Sequence, residues 1–158
     1  MKLFSKKKAK LQLKFRKVSA KEDKFQSTEI ASISLKDQPK YMRKFRNEDC
    51  VVMISLSKVL YCIDLTTSTV EEYDLTPHVS ASNITSLAVD ESNNVIVGDD
   101  GGKVHQLTQK LDHRIIHKVN FPVQSLGENH GQVCVCYTVF ESRSGNRLPF
   151  IDVLPGSG

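Results

Sequence analysis

Residues 84–119 read ITSLAVDESNNVIVGDDGGKVHQLTQKLDHRIIHKV, and four short strands follow one another in that stretch. Ile84 to Val89 is β-branched and alternating, and Asp90-Glu91-Ser92-Asn93-Asn94 is turn chemistry. Val95-Ile96-Val97 is a continuous apolar run, as expected of a fully buried strand. Gly98-Asp99-Asp100-Gly101-Gly102 concentrates residues that tolerate positive φ, which predicts a tight turn. Lys103 to Leu107 alternates again, and a fourth alternating run spans Arg114 to Val119. Four strands with short turns make one antiparallel meander, a unit that cannot bury both of its faces alone.

The segment ITSLAVDESNNVIVGDDGGKVHQL resembles a blade of the WD-repeat β-propeller family. It has an apolar first strand, an acidic-Asn turn, a small-residue inner strand and Asp-Gly-Gly before the third strand. It departs from the family pattern in having His105-Gln106 or their neighbours where Trp-Asp would close the third strand. No Gly-His pair precedes the blade, and the chain has no tryptophan. The resemblance implies repeats, and the sequence contains them. Ile84-Thr85-Ser86-Leu87 recurs 39 positions on as Val123-Gln124-Ser125-Leu126, and Val95-Ile96-Val97 recurs 38 positions on as Val133-Cys134-Val135. Upstream, Val51 to Ser55 followed by Val59 to Leu65 matches the same order of strands about 43 positions earlier. A period near 40 is the spacing of WD repeats.

The expected fold is therefore all-β: a partial WD-repeat-like propeller of about three degenerate four-stranded antiparallel blades. The resemblance covers residues 47–154, with blades at about 28–80, 81–121 and 122–158. The last block reads as three runs, Val123–Leu126, Gln132–Phe140 and Leu148–Leu154, so the sequence stops in mid-blade. Closed propellers use roughly four to eight blades. The expectation is a chain completed by a partner or by self-association, or part of a longer protein.

Charge divides the chain in two. Residues 1–46 hold 15 Lys/Arg against four acidic residues, a net of +11, whereas residues 47–158 hold seven against 14, a net of −7. A basic N-terminal arm, taken as residues 1–27, thus precedes an acidic β domain. Lys6, Lys7, Lys8 and Lys10 form a patch suited to nuclear localisation or to nucleic-acid contact. Leu11 to Phe15 alternates, so part of the arm also reads as an edge strand whose lysines block aggregation. A mitochondrial presequence is a third reading, disfavoured by lysine in place of arginine. Ile30 to Leu35 reads as a strand ended by Asp37-Gln38-Pro39. In KYMRKFR, Lys40, Arg43, Lys44 and Arg46 interleave with Tyr41 and Phe45, a pattern that can bind phosphates and stack on bases. It equally describes an outer strand with Tyr41, Arg43 and Phe45 on one face and Met42 on the other.

No apolar run approaches the roughly 20 residues of a membrane span, and no membrane contact is expected. Cys50, Cys62, Cys134 and Cys136 include no CxxC pair and read as reduced thiols of an intracellular protein. His113 and His117 are four apart, as in a helical metal pair, but their strand context makes them outer-strand residues. Asp90, Asp99 and Asp100 read as turn residues rather than cation ligands, and Gly98 to Gly102 lacks the Lys-Ser/Thr of a P-loop. No catalytic residue, cofactor or metal site is expected. The functional expectation is a non-catalytic scaffold that binds other proteins, within a nuclear or nucleolar RNA-processing complex such as one of ribosome biogenesis or tRNA modification. The alternatives are a cytoplasmic location, and an RNA-binding module acting through the arm and KYMRKFR.

Overall fold

The computed structural model describes residues 11–21, 24–45 and 47–155. Every regular element among them is a β-strand. β1 (Leu11–Lys21) and β2 (Lys24–Leu35) form a two-stranded hairpin. β3 (Pro39–Phe45), β4 (Asn47–Ser55), β5 (Val59–Asp64) and β6 (Thr69–Asp74) form one antiparallel sheet in sequence order. β7 (Ile84–Val89), β8 (Val95–Asp99), β9 (Lys103–Leu107) and β10 (His113–Lys118) form a second. β11 (Val123–Asn129), β12 (Gln132–Phe140) and β13 (Arg147–Val153) form a third, and its strands are the three runs read after Pro122.

Local chemistry accounts for the turns. Asp99 Oδ1 accepts the backbone N–H of Gly101 at 2.9 Å and of Lys103 at 3.0 Å, closing the β8–β9 turn. Gly102 sits at φ 89°, where an added Cβ would lie 2.0 Å from the Val119 carbonyl oxygen. Asp90 performs the same service for the β7–β8 turn through Ser92 and Asn94. β3, β7 and β11 each carry a bulge near the start, at Pro39/Tyr41, Ile84/Ser86 and Val123/Ser125. The same irregularity at the same place in three sheets marks them as structural repeats.

The sheets stack face to face. One face of the first sheet (Val52, Ile54, Leu60) meets one face of the second (Leu87, Val95, Val97, Leu107). The opposite face of the second sheet (Ala88, Ile96, Val104) meets Val133 and Val135 of the third. Each fully buried Leu, Ile or Val adds about 1.5–3 kcal/mol of hydrophobic stabilisation. On its far side the first sheet buries Val51, Met53, Tyr61 and Ile63 against Ile33 and Leu35 of the hairpin. β2 therefore runs through the boundary drawn at residue 27, and residues 28–35 belong to the hairpin rather than to the first blade. Charge composition could not locate that boundary, because the strand's inward positions near its C-terminal end are apolar whatever its net charge.

β7 packs against both β3 and β11. These first strands of the three sheets converge, while β6 and β10 lie at the outer edges.

Candidate interaction surfaces

Between the first and second sheets runs a chain of polar rings. His105 Nε2 lies 2.7 Å from Asp99 Oδ2, and His105 Nδ1 lies 2.8 Å from His113 Nε2. The His113 ring stacks on His78 at 4.3 Å between centroids, and His78 Nε2 lies 3.0 Å from the Tyr73 hydroxyl. Lys58 Nζ donates to the Val79 and Ala81 carbonyls, holding the loop that carries His78. Burial, then the neighbouring His78 and His105, hold His113 below its usual 6.5. His117 joins a different group. Its Nε2 lies 2.8 Å from Asp152 Oδ2, and Tyr137 donates its hydroxyl to Asp152 Oδ1 at 3.1 Å. A bulge between Ile115 and His117 turns the two histidines of β10 to opposite neighbours. Among the described residues no group of three His, Cys, Asp or Glu is placed to hold a metal ion, and none of the four cysteines is in a disulfide.

The residues singled out by charge are not brought together. Lys6, Lys7, Lys8, Lys10 and Arg46 lie outside the described residues. Lys40, Tyr41, Arg43 and Lys44 belong to β3, an innermost strand rather than an outer one. Phe45 is 4% exposed in the core and Tyr41 packs against the same cluster, so the aromatic positions of KYMRKFR are occupied by the fold. Lys40 Nζ lies 5.6 Å from the Tyr41 ring centroid, and Arg43 donates to the Met42 carbonyl.

Two other surfaces are open. The base of the hairpin packs on the first sheet, but Arg16–Ala20 and Lys24–Ile30 are all exposed. The third sheet covers the second with one face, and none of the described residues covers the other. Phe140, Ile151 and Val153 are 56%, 65% and 56% exposed on that bare face. Cys134 and Cys136 pair with Val153 and Ile151 across the ladder, so this outward face is apolar and carries Arg147 at one end. Periodicity could place these side chains on a common face, but not show that no other described residue covers it.

No protein-family model and no curated protein sequence matches the chain. Solved structures do. The WD40 β-propeller domain of Doa1 matches with TM-score 0.54 and 14% identity, covering 76% of this chain and 43% of that one. The β-propeller domain of Myceliophteria thermophila Cps50 (Swd1) matches with TM-score 0.50 and 16% identity, covering 89% and 41%. The tricorn protease matches with TM-score 0.59 and 12% identity, covering 82% and 14%. The chain thus spans less than half the length of each. At these identities the likeness is one of fold. Repeated antiparallel sheets, converging first strands and face-to-face packing make the fold that of a partial WD40-type β-propeller.

Proposed function

We propose that the chain is a non-catalytic scaffold whose outward third-sheet face and loops bind other proteins. A WD40-type propeller is the kind of fold that supports protein interaction, although fold alone does not assign function. The observation that carries the reading is the bare apolar face formed by Phe140, Ile151 and Val153. On the first two sheets the corresponding surfaces are covered by a neighbouring sheet. A contiguous exposed apolar surface of this kind marks a docking site, and a further β-sheet, from a partner or a second copy, has the shape and polarity to cover it.

The finer reading is membership of a nuclear or nucleolar RNA-processing assembly, with the basic N-terminal segment touching RNA phosphates. It is supported by the +11 and −7 net charges on either side of residue 46. The test is cross-linking mass spectrometry on the tagged chain in cells, alongside Ile151→Glu/Val153→Lys and a variant with Lys6, Lys7, Lys8 and Lys10 changed to Gln. The scaffold reading expects cross-links from β12 and β13 to named partners, lost in the first variant. Unchanged partners and cross-links confined to other surfaces would overturn it. Nuclear accumulation that disappears in the lysine variant supports the address, and cytoplasmic wild-type protein refutes it.

A further inference from the structure

We infer that the cleft between the second and third sheets binds a carboxylate carried on a small apolar group. Arg114 takes the carboxylate, and Ile116, Val133 and Leu154 take the apolar part. This goes beyond the scaffold reading, which uses the outward face of the third sheet and the loops, and it does not depend on it. The cleft has a volume of about 400 Å³ and lies at the end of the sheets marked by Asp90 and Gly131.

The repeat shows what makes this cleft different. Gln106 pairs between Ile96 and Arg114 in the second sheet, as Cys62 pairs between Val52 and Glu71 in the first. Around Cys62 and Glu71 the hollow is about 110 Å³, and Phe45, the last residue of β3, lines it. Around Gln106 and Arg114 the corresponding place, just after β7, is held by Asp90, and the hollow is more than three times as large. Gln106 alternates with Val104, so it faces the third sheet, and it is only 4% exposed. Arg114 donates from Nε to Gln106 Oε1 at 2.6 Å, and among the described residues neither side chain has another hydrogen bond. Nor does any carboxylate among them lie within ion-pair distance of Arg114. Buried amides are almost always fully bonded, so the Gln106 N–H donors call for a partner that enters the cleft.

The chemistry of that partner follows from the donors. With Nε held by Gln106, the guanidinium keeps its two Nη groups, and their planar fork matches the two oxygens of a carboxylate. The Gln106 amide adds a neutral donor beside it. Asp90 does not take the guanidinium, because its Oδ1 accepts the N–H groups of Ser92 and Asn94 and its Oδ2 accepts the Asn94 side chain. The rim limits the ligand to a single negative charge. Glu91 Oε2 lies 3.0 Å from where a Cβ on Gly131 would stand, and Glu128 accepts the Gly131 N–H at 2.9 Å. A dianion such as phosphate therefore meets two carboxylates at the entrance. A cleft of about 400 Å³ is at the small end of ligand pockets, which suits a body no larger than a branched aliphatic side chain or two. A free branched-chain acid and the last residue of a protein chain both present this chemistry.

The test is a titration of the isotope-labelled full chain, followed by NMR on the side-chain N–H resonances of Arg114 and Gln106. The probes are isovalerate, isovaleramide, inorganic phosphate, and a short peptide ending in Leu as its free acid and as its amide. A carboxylate probe should shift both resonances, and the two amides should not. Arg114→Gln should weaken that binding by about 10–100-fold, the worth of a hydrogen-bonded charge, and Gln106→Leu by about 3–10-fold. Arg143→Gln, in the exposed β12–β13 turn, should leave it unchanged. Arg114 is exposed, so unchanged thermal unfolding shows that its variant is folded, and that variant decides the matter where Gln106→Leu lowers stability. Isovalerate binding without the peptide assigns the site to a free acid. Peptide binding, with or without isovalerate, assigns it to a chain terminus. Amides that bind as well as the acids, phosphate that binds more tightly than isovalerate, or binding untouched by Arg114→Gln overturns the site. So does the absence of any shift at about 10 mM of every probe.

Discussion

The His105 ring stands 2.7 Å from the Asp99 carboxylate with both side chains 1% exposed, so the turn that closes β8 and β9 is tied to the strand that follows it. Asp99 uses Oδ1 for two backbone N–H groups and Oδ2 for the ring. Removing the carboxylate frees a buried ring N–H and two turn amides at once. Asp99→Ala should cost about 2–4 kcal/mol, and Asp99→Asn, which keeps an acceptor for the turn, about half as much. Urea unfolding measures both, and an alanine variant within about 0.5 kcal/mol of wild type would show that the contact is dispensable.

His113 gives the domain a pH dependence with a defined sign. Burial and the adjoining His78 and His105 lower its pKa from 6.5, so the folded chain takes up this proton less readily than the unfolded one. The stability involved is present above pH 6.5 and is lost as pH falls from 6.5 toward the lower folded value. Unfolding free energies between pH 8 and pH 5 should therefore decline on the acid side. His113→Asn should flatten that decline; an equally steep profile would assign it to other groups.

Gly98 lies where β8 passes closest to its neighbours. A Cβ there would come within 2.5 Å of both Ser86 Oγ and Val123 Cγ1. Gly98→Ala should lower stability by about 1–3 kcal/mol through overpacking between the second and third sheets. Gly127→Ala, which has open space around it, is the control and should be close to neutral. Matched melting temperatures for the two variants would contradict the packing described.

Tyr137 should ionise late. Burial first, and then its hydrogen bond to Asp152, raise the phenol above 10. The contribution is intact below pH 10 and is lost as pH rises from there through the raised folded value. Ultraviolet titration of wild type against Tyr137→Phe isolates this group. A difference spectrum with its midpoint at or below 10 would place the hydroxyl in solvent.

The outward face of the third sheet should govern self-association. Ile151→Glu with Val153→Lys should leave unfolding free energy within about 0.5 kcal/mol of wild type, because both side chains are exposed. The same change should reduce binding of a hydrophobic dye and raise solubility. Dye binding equal to wild type would locate the sticky surface elsewhere, the hairpin tip being the next to examine.

Local order was legible in the sequence. The runs at Ile84–Val89 and Lys103–Leu107 are strands as read, and the Val95–Val97 run is a strand that continues through Gly98 and Asp99, two residues into the stretch read as a turn, because alternation and β-branching follow from burial on a pleated sheet. The turn at Asp100 to Gly102 and the repeat at Val123 follow from residue types acting over a few positions. Which neighbour each face meets was decided only in three dimensions. His113 and His117 share a spacing that predicts one face, yet a one-residue bulge sends the first toward His105 and the second toward Asp152. Tyr41 and Phe45 have the interleaved cations of a binding strip, yet convergence of β3 with β7 buries Phe45 in the core and packs a half-buried Tyr41 against it. A bulge has no composition of its own, and the burial of an aromatic depends on partners distant in the chain. Strand and turn were thus settled by the sequence locally, whereas exposure, pairing and the open surfaces came from long-range packing.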